Sequence, residues 1–282
     1  MRLRAYGHLG ERLRCLTMIA MTLLLTACAN AVSLPAETAI ARLAPNQSTV
    51  LVTGANRGIG LAFAEYYANN GWNVIATARK PDQADELNAL AAANPTVVVE
   101  QLDVTDLDRI KTLAAKYMQT PIDLLINNAA VLGDLQGQKI DSLDYPQFEW
   151  AMAVNVYGPM AMAEAFKPSI AMSEQKKIVT LTSGLGSLRL MGRMEGMTYY
   201  RLSKSAVNMG MRAIRATYKK EGITVALIAP GMVNTQLLAD SGYRGKALTP
   251  ADSVAGMADI IARLNIEDDG TPTNVDGKTI PW

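Results

Sequence analysis

The run Ser48-Thr-Val-Leu-Val-Thr53 is short, apolar and rich in β-branched residues; Gly54-Ala-Asn-Arg-Gly58-Ile-Gly60 closes it, and a helical pattern follows over Leu61–Asn70. No other stretch limits the fold as much. A buried strand feeding a glycine-rich turn and then a helix is the phosphate cradle of dinucleotide-binding folds: glycines let the backbone approach an anion, and the helix N-terminus offers free N–H groups to it. Further short apolar runs follow at Asn73–Thr77, Val97–Leu102, Ile122–Ile126, Lys177–Thr182 and Ile223–Ala229, with a last strand expected at Lys278–Ile280 and helical patterns between them. The alternation predicts an α/β fold, a doubly wound parallel sheet covered on both faces. Ligands in such sheets sit at the carboxyl ends of the strands.

Three segments are expected in the 282 residues: a signal segment over 1–27, a linker over 28–47 and a single dinucleotide-binding domain over 48–282. Arg2, Arg4, Arg12 and Arg14 precede an apolar run, Cys15–Leu25, that is short for a membrane span and suits a signal-peptide core. It ends Leu25-Thr26-Ala27-Cys28, which resembles a bacterial lipobox and implies a diacyl anchor on Cys28 and residence on the periplasmic face of a membrane. An uncleaved anchor, or a start assigned too far upstream with a cytoplasmic protein behind it, are the alternatives. The n-region lacks an adjacent arginine pair, so export would carry the chain unfolded and empty of cofactor. Residues 28–47 hold Pro35, Pro45 and small residues without a strong period.

Removing 1–27 takes away four arginines and one glutamate and turns a net charge of +1 slightly negative. No basic stripe points to nucleic acid. The only histidine, His8, and both cysteines, Cys15 and Cys28, lie at or before position 28. The remaining chain therefore has no Ser-His-Asp or Cys-His catalysis, no His/Cys zinc site and no disulfide. Its chemistry rests on Tyr, Lys, Ser, Asn, carboxylates, Arg, backbone groups or a bound cofactor.

Tyr200 and Lys204, in a helical run over 198–221, are four residues apart and share a helix face. A phenol titrates near ~10, and an ammonium beside it favours the phenolate; a fall of ~3 units corresponds to ~4 kcal/mol. A tyrosine merely packed on a lysine stem is the plain alternative.

Several motifs together resemble the short-chain dehydrogenase/reductase family. Thr53-Gly54-x-x-x-Gly58-x-Gly60, Asn127-Asn128-Ala129-Ala130 (with Ala130 where the family has glycine), Ser183 after a strand, Tyr200-x-x-x-Lys204 and Pro230-Gly231-x-Val233-x-Thr235 occur in the family's order over residues 48–282. Tyr200-Arg-Leu-Ser-Lys204-Ser-Ala-Val-Asn208 and the ending Gly277-Lys-Thr-Ile-Pro-Trp282 look closest to the C-factor-like carbonyl reductases. The resemblance implies a Rossmann fold whose cofactor is cradled by Gly54, Asn56, Arg57, Gly58, Ile59 and Gly60. Asp103 and Val104 would border the adenine, with capping of the next helix as the other reading of Asp103. Asn128 and Ala129 would form the cofactor floor, and Pro230, Gly231, Val233 and Thr235 a loop over the nicotinamide. Where an NAD site places an acid after the second strand, the chain has Ala78-Arg79-Lys80; Arg79 with Arg57 suits a 2′-phosphate, so NADP(H) is the expected cofactor.

The implied reaction is hydride transfer between the nicotinamide and a carbonyl or alcohol. Tyr200 is the general acid/base, Ser183 binds the reacting oxygen (Ser187 being the alternative serine), Lys204 tunes the tyrosine and touches the ribose, and Asn155 holds a water in a proton relay. Met191, Met194 and Met197 suit an adaptable apolar substrate pocket or serve as packing. A small-molecule substrate and no nucleic acid are expected, with homo-oligomerisation open. A cofactor-bound signalling or surface protein on the same fold is the rival from another class; a sugar-nucleotide epimerase would need more chain beyond Pro230.

Overall fold

The computed structural model describes residues 39–192 and 195–282. The expected signal segment, the lipobox with Cys28, and Met194 lie outside the described residues. Contacts divide the chain into two units, Met1–Ala41 and Arg42–Trp282, and the second contains the whole sheet.

In chain order that unit runs β1 (Thr49–Val52), α1 (Gly58–Asn69), β2 (Asn73–Ala78), α2 (Asp85–Ala93), β3 (Val97–Gln101), α3 (Leu107–Lys116) and β4 (Leu124–Asn127). It continues with α4 (Tyr145–Met152), a π turn (Ala153–Tyr157), α5 (Gly158–Ala171), β5 (Lys177–Leu181), α6 (Thr198–Tyr218), β6 (Thr224–Ala229), α7 (Gln236–Asp240), α8 (Pro250–Arg263) and β7 (Thr273–Asn274). The seven strands form one parallel sheet in the order β3-β2-β1-β4-β5-β6-β7. The doubly wound parallel sheet expected from the alternation is the fold observed.

Both faces of the sheet are buried, which is why its central strands read as continuous apolar runs. Successive side chains point to opposite faces. Val50, Val52, Leu124, Ile126 and Val179 enter one core with Phe63 of α1 and Met257 of α8. Leu51, Leu125 and Ile178 enter the other with Phe166 of α5 and Met211 of α6. A one-residue slip in any of these strands would exchange the two sets.

Three local outcomes differ from the sequence reading. The last strand is Thr273–Asn274, not Lys278–Ile280: Gly277 at φ 80 turns the chain back, and Thr279 makes only an isolated antiparallel bridge to Thr273. The helical pattern over 145–172, which by sequence breaks near Gly158-Pro159, is interrupted slightly earlier, at the π turn 153–157, and Gly158-Pro159 open α5. The stretch just before Ser48 is tied into the domain. Buried Asn73 accepts from the Ala44 amide at 2.8 Å and donates to its carbonyl at 2.9 Å, while Arg42 donates to Ala91 O at 2.8 Å and Pro95 O at 3.0 Å.

Candidate active site

A cleft of about 1280 Å³ opens at the carboxyl ends of the strands, spanning the point between β1 and β4 where the strand order reverses. Its floor follows from the glycine turn. Gly54 and Gly58 have φ of 66° and 57°, conformations that L side chains resist, and a Cβ on Gly60 would clash with the carbonyl oxygen of Gly54. The first turn of α1 has no acidic residue and no side-chain cap, so its amide donors face the cleft uncompensated. Asn56, Arg57 and Ile59 line the cleft with these glycines.

Asn128 braces the turn from β4: its Nδ2 donates to Thr53 O at 2.9 Å and Gly54 O at 3.0 Å. The Thr53 hydroxyl accepts from the amides of Asn128 and Ala129 at 3.0 and 3.1 Å. These bonds tie two strand ends together. Ala130 is not among the residues with positive φ, so the alanine that replaces the family's glycine meets no strain.

Arg57 and Arg79 are exposed and line the same cleft, and among the described residues neither has a carboxylate within 4.0 Å. Asp103 and Val104 are beside them; Asp103 accepts from the Thr105 amide at 2.9 Å and its hydroxyl at 2.8 Å. It does not cap α3, whose cap is Asp106. On the far wall lie Pro230, Gly231, Val233 and Thr235, the last capping α7 through an acceptor bond from Leu238 N at 3.4 Å. The cradle, the uncapped helix start and the unpaired guanidinium groups fit a dinucleotide carrying an extra phosphate.

Ser183, Tyr200 and Lys204 line the cleft as well. Ser183 lies two residues beyond the end of β5, with its Oγ accepting from Leu185 N at 3.1 Å. Tyr200 and Lys204 are 8% and 4% exposed, dry enough for burial to dominate their ionisation. Burial pushes the Tyr200 phenol up to about 12, with Ser183 working weakly the other way. Burial brings the Lys204 ammonium down to about 8. Burial, rather than Lys204, is the main cause acting on the phenol. The ammonium donates to Leu181 O at 2.9 Å and faces the Tyr200 ring, 5.6 Å from its centroid. Helical spacing thus brings the two residues together, as their four-residue separation predicts.

Ser187 is turned away: its Oγ donates to Trp282 O at 3.4 Å and accepts from Leu190 N at 3.1 Å, and it does not line the cleft. Asn155 also stands behind the cleft wall. Both of its amide hydrogens are spent, on Val131 O and on Ser203 Oγ, each at 2.9 Å, and its Oδ1 accepts from Val131 N at 2.9 Å. Two features of α6 have no counterpart in the sequence reading. The residue before it, Met197, is left-handed at φ 52 and caps nothing. The amides of Tyr199 and Tyr200 instead donate to Oε1 of Gln138, at 3.0 and 3.1 Å, from a loop more than sixty residues upstream. A lone glutamine in a polar loop carries no local signal of that role.

The comparisons with known proteins agree with this geometry. The family model described as short chain dehydrogenase matches residues 48–244. A Rhodococcus 1-hydroxy-2-glutathionyl-2-methyl-3-butene dehydrogenase is 33% identical over 237 residues, 83% of this chain and 100% of that protein. The C-signal protein of Myxococcus xanthus is 32% identical over 174 residues, 61% of this chain and 100% of that one. Among solved structures, an NADPH-bound carbonyl reductase from chicken fatty liver superposes with a TM-score of 0.76 at 32% identity, covering 84% of this chain and 99% of that one. A Burkholderia multivorans short-chain dehydrogenase/reductase with bound NADP gives 0.73 at 30% identity, covering 84% and 100%. Fold, cleft and sequence thus converge: the chain is an oxidoreductase belonging to the short-chain dehydrogenase family.

Proposed function

We propose that the chain is an NADP(H)-dependent carbonyl reductase in which Tyr200 is the proton donor. The observation that carries this reading is the meeting of Ser183, Tyr200 and Lys204 in one cleft, with burial keeping the phenol protonated. The bound nicotinamide would supply the hydride that reaches the carbonyl carbon. Tyr200 Oη gives its proton to the carbonyl oxygen, and Ser183 Oγ donates a hydrogen bond to the same oxygen as charge builds there. Lys204 puts a positive charge behind the phenol and makes up for the proton given away. Asn155 acts by holding the Val131 backbone and Ser203 rather than by touching substrate. Arg57 and Arg79 favour the phosphorylated cofactor because two guanidinium groups without carboxylate partners suit a 2′-phosphate.

The test is NADPH consumption over a panel of aldehydes, ketones and quinones, with Tyr200→Phe as the control. The variant keeps the ring and loses the proton, so turnover should fall by about 100-fold or more, with NADPH binding by fluorescence nearly unchanged. A Tyr200→Phe protein that retains most of its activity refutes the mechanism. The C-signal relative keeps the rival in view: NADPH binding without turnover of any carbonyl would favour a signalling role. We also propose that the protein is tethered through a lipidated Cys28, which mass spectrometry of the mature N-terminus tests; a soluble protein starting near Ser48 refutes it.

A further inference from the structure

Tyr200 is held by its backbone on both sides, and the bonds that hold it close into a ring. Its N–H donates to Gln138 Oε1 at 3.1 Å, and Gln138 Nε2 donates to Leu132 O at 2.8 Å. Next along the chain, Val131 exchanges two bonds with the Asn155 amide, each at 2.9 Å. Asn155 Nδ2 donates to Ser203 Oγ at 2.9 Å, and the Ser203 hydroxyl donates to Tyr200 O at 2.8 Å. The ring therefore runs from the tyrosine's nitrogen through Gln138, the Val131–Leu132 backbone, Asn155 and Ser203, and returns at the tyrosine's carbonyl. Gln138 and Ser203 are 0% exposed and Asn155 is 1% exposed, so water cannot replace a missing member.

Gln138 is the member that joins the catalytic helix to the loop after β4. All of its side-chain capacity is used in that joint: Oε1 accepts from two consecutive amides and Nε2 donates to Leu132 O and, at 3.2 Å, to Asp134 O. Val131 and Leu132 line the cleft, whereas Gln138 does not. The two ends of its amide thus fix the tyrosine relative to the floor on which a substrate and cofactor would meet, without contact to either.

We infer that Gln138 is a positioning residue for Tyr200, setting where the phenol sits over the cleft by closing this ring; the inference rests on the proposed reductase mechanism for its kinetic consequence alone. Gln138→Met keeps length and removes the acceptor and both donors. Its kcat should fall at least tenfold, since small displacements of a reacting group are costly, while the Kd for NADPH stays within twofold. Hydrogen exchange should show reduced protection at the Tyr199 and Tyr200 amides while the middle of α6 keeps its own. Ser203→Ala opens the same ring, so the double variant should lose little more kcat than the worse single one.

The inference is overturned by a folded Gln138→Met protein with kcat within twofold of the parent, by a loss of kcat matched by a loss of NADPH affinity, or by fully additive losses with Ser203→Ala. If the parent binds NADPH yet turns over no carbonyl, the reductase reading fails, and exchange at the two amides alone decides the ring: unchanged protection refutes it. Should Gln138→Met fail to fold, Gln138→Glu keeps the two acceptor bonds and loses donation to Leu132 O when ionised. Its activity relative to the parent should then rise toward low pH, where the protonated acid donates again, and a flat ratio refutes the inference.

Discussion

Tyr200 and Lys204 are pushed from their ordinary ionisation in opposite directions by the same cause, burial, and each direction has a measurable consequence. Burial lowers the Lys204 ammonium to about 8. Because a cofactor binds a charged lysine better, NADPH affinity should weaken above about pH 8, by up to about tenfold per pH unit. Lys204→Met should flatten that dependence. Isothermal titration across pH 6.5–9.5 (~3 units of range, enough to bracket the break) checks it, and an unchanged affinity in the parent would remove Lys204 from cofactor binding. For stability the signs follow from the shifts. Lys204, depressed from 10.5 to about 8, disfavours the fold below pH 8 and the penalty fades as pH rises toward 10.5. Tyr200, raised from 10.0 to about 12, contributes stability below pH 10 that is lost as pH passes 12. At the cleft mouth, Arg79→Ala should weaken NADPH binding by about tenfold, because it would remove the charge-assisted hydrogen bond proposed to the 2′-phosphate, with NADH binding little changed. Equal losses for both cofactors would refute its role in choosing between them. At this scale the residues are legible because helical spacing and motif order place them. The ionisation of the tyrosine is not, because it depends on where a flexible lysine points and how much water the fold excludes.

Among the elements, α3 and the edge strand β3 are joined by a buried carboxylate. Glu100, 6% exposed, accepts from Lys116 Nζ at 2.6 Å and Tyr117 Oη at 2.5 Å. Tyr117→Phe would leave that carboxylate short of a donor in a dry site and should cost about 1–3 kcal/mol in urea unfolding. A loss below ~0.5 kcal/mol, within the range of an ordinary surface substitution, would mean that Lys116, with Arg109 at 3.8 Å, satisfies the carboxylate without the phenol. Six strands are legible to within two residues because burial on both sides leaves unbroken apolar runs. The seventh is misplaced by sequence because it has two residues and no apolar run, and Gly277 sets its position. The short α7 escapes a sequence reading since its cap, Thr235, reads equally well as a cofactor contact. The start of α6 at residue 198 is legible, but its cap is not, because that comes from Gln138, and no local pattern announces a partner so distant in sequence.

For the molecule as a whole, the boundary of the folded unit can be measured. A chain beginning at Arg42 keeps the bonds of Arg42 to Ala91 and Pro95 and of Ala44 to Asn73; one beginning at Ser48 loses them and leaves buried Asn73 underused. The shorter chain should be less stable by about 1–3 kcal/mol, and equal melting temperatures would refute the boundary at Arg42. The alternation of strands and helices makes the fold class legible, because it has few topological solutions. The π turn at 153–157 has a consequence of another kind, one of counting. Each residue of an α-helix turns the next by about 100°, so the wider turn shifts the phase between α4 and α5 and allows Val154, Asn155 and Val156 to be buried consecutively. A chain with every side chain unchanged but one residue deleted between Ala151 and Gly158 would carry the same chemistry on the wrong face. Length, as much as residue identity, is what this stretch of the chain encodes.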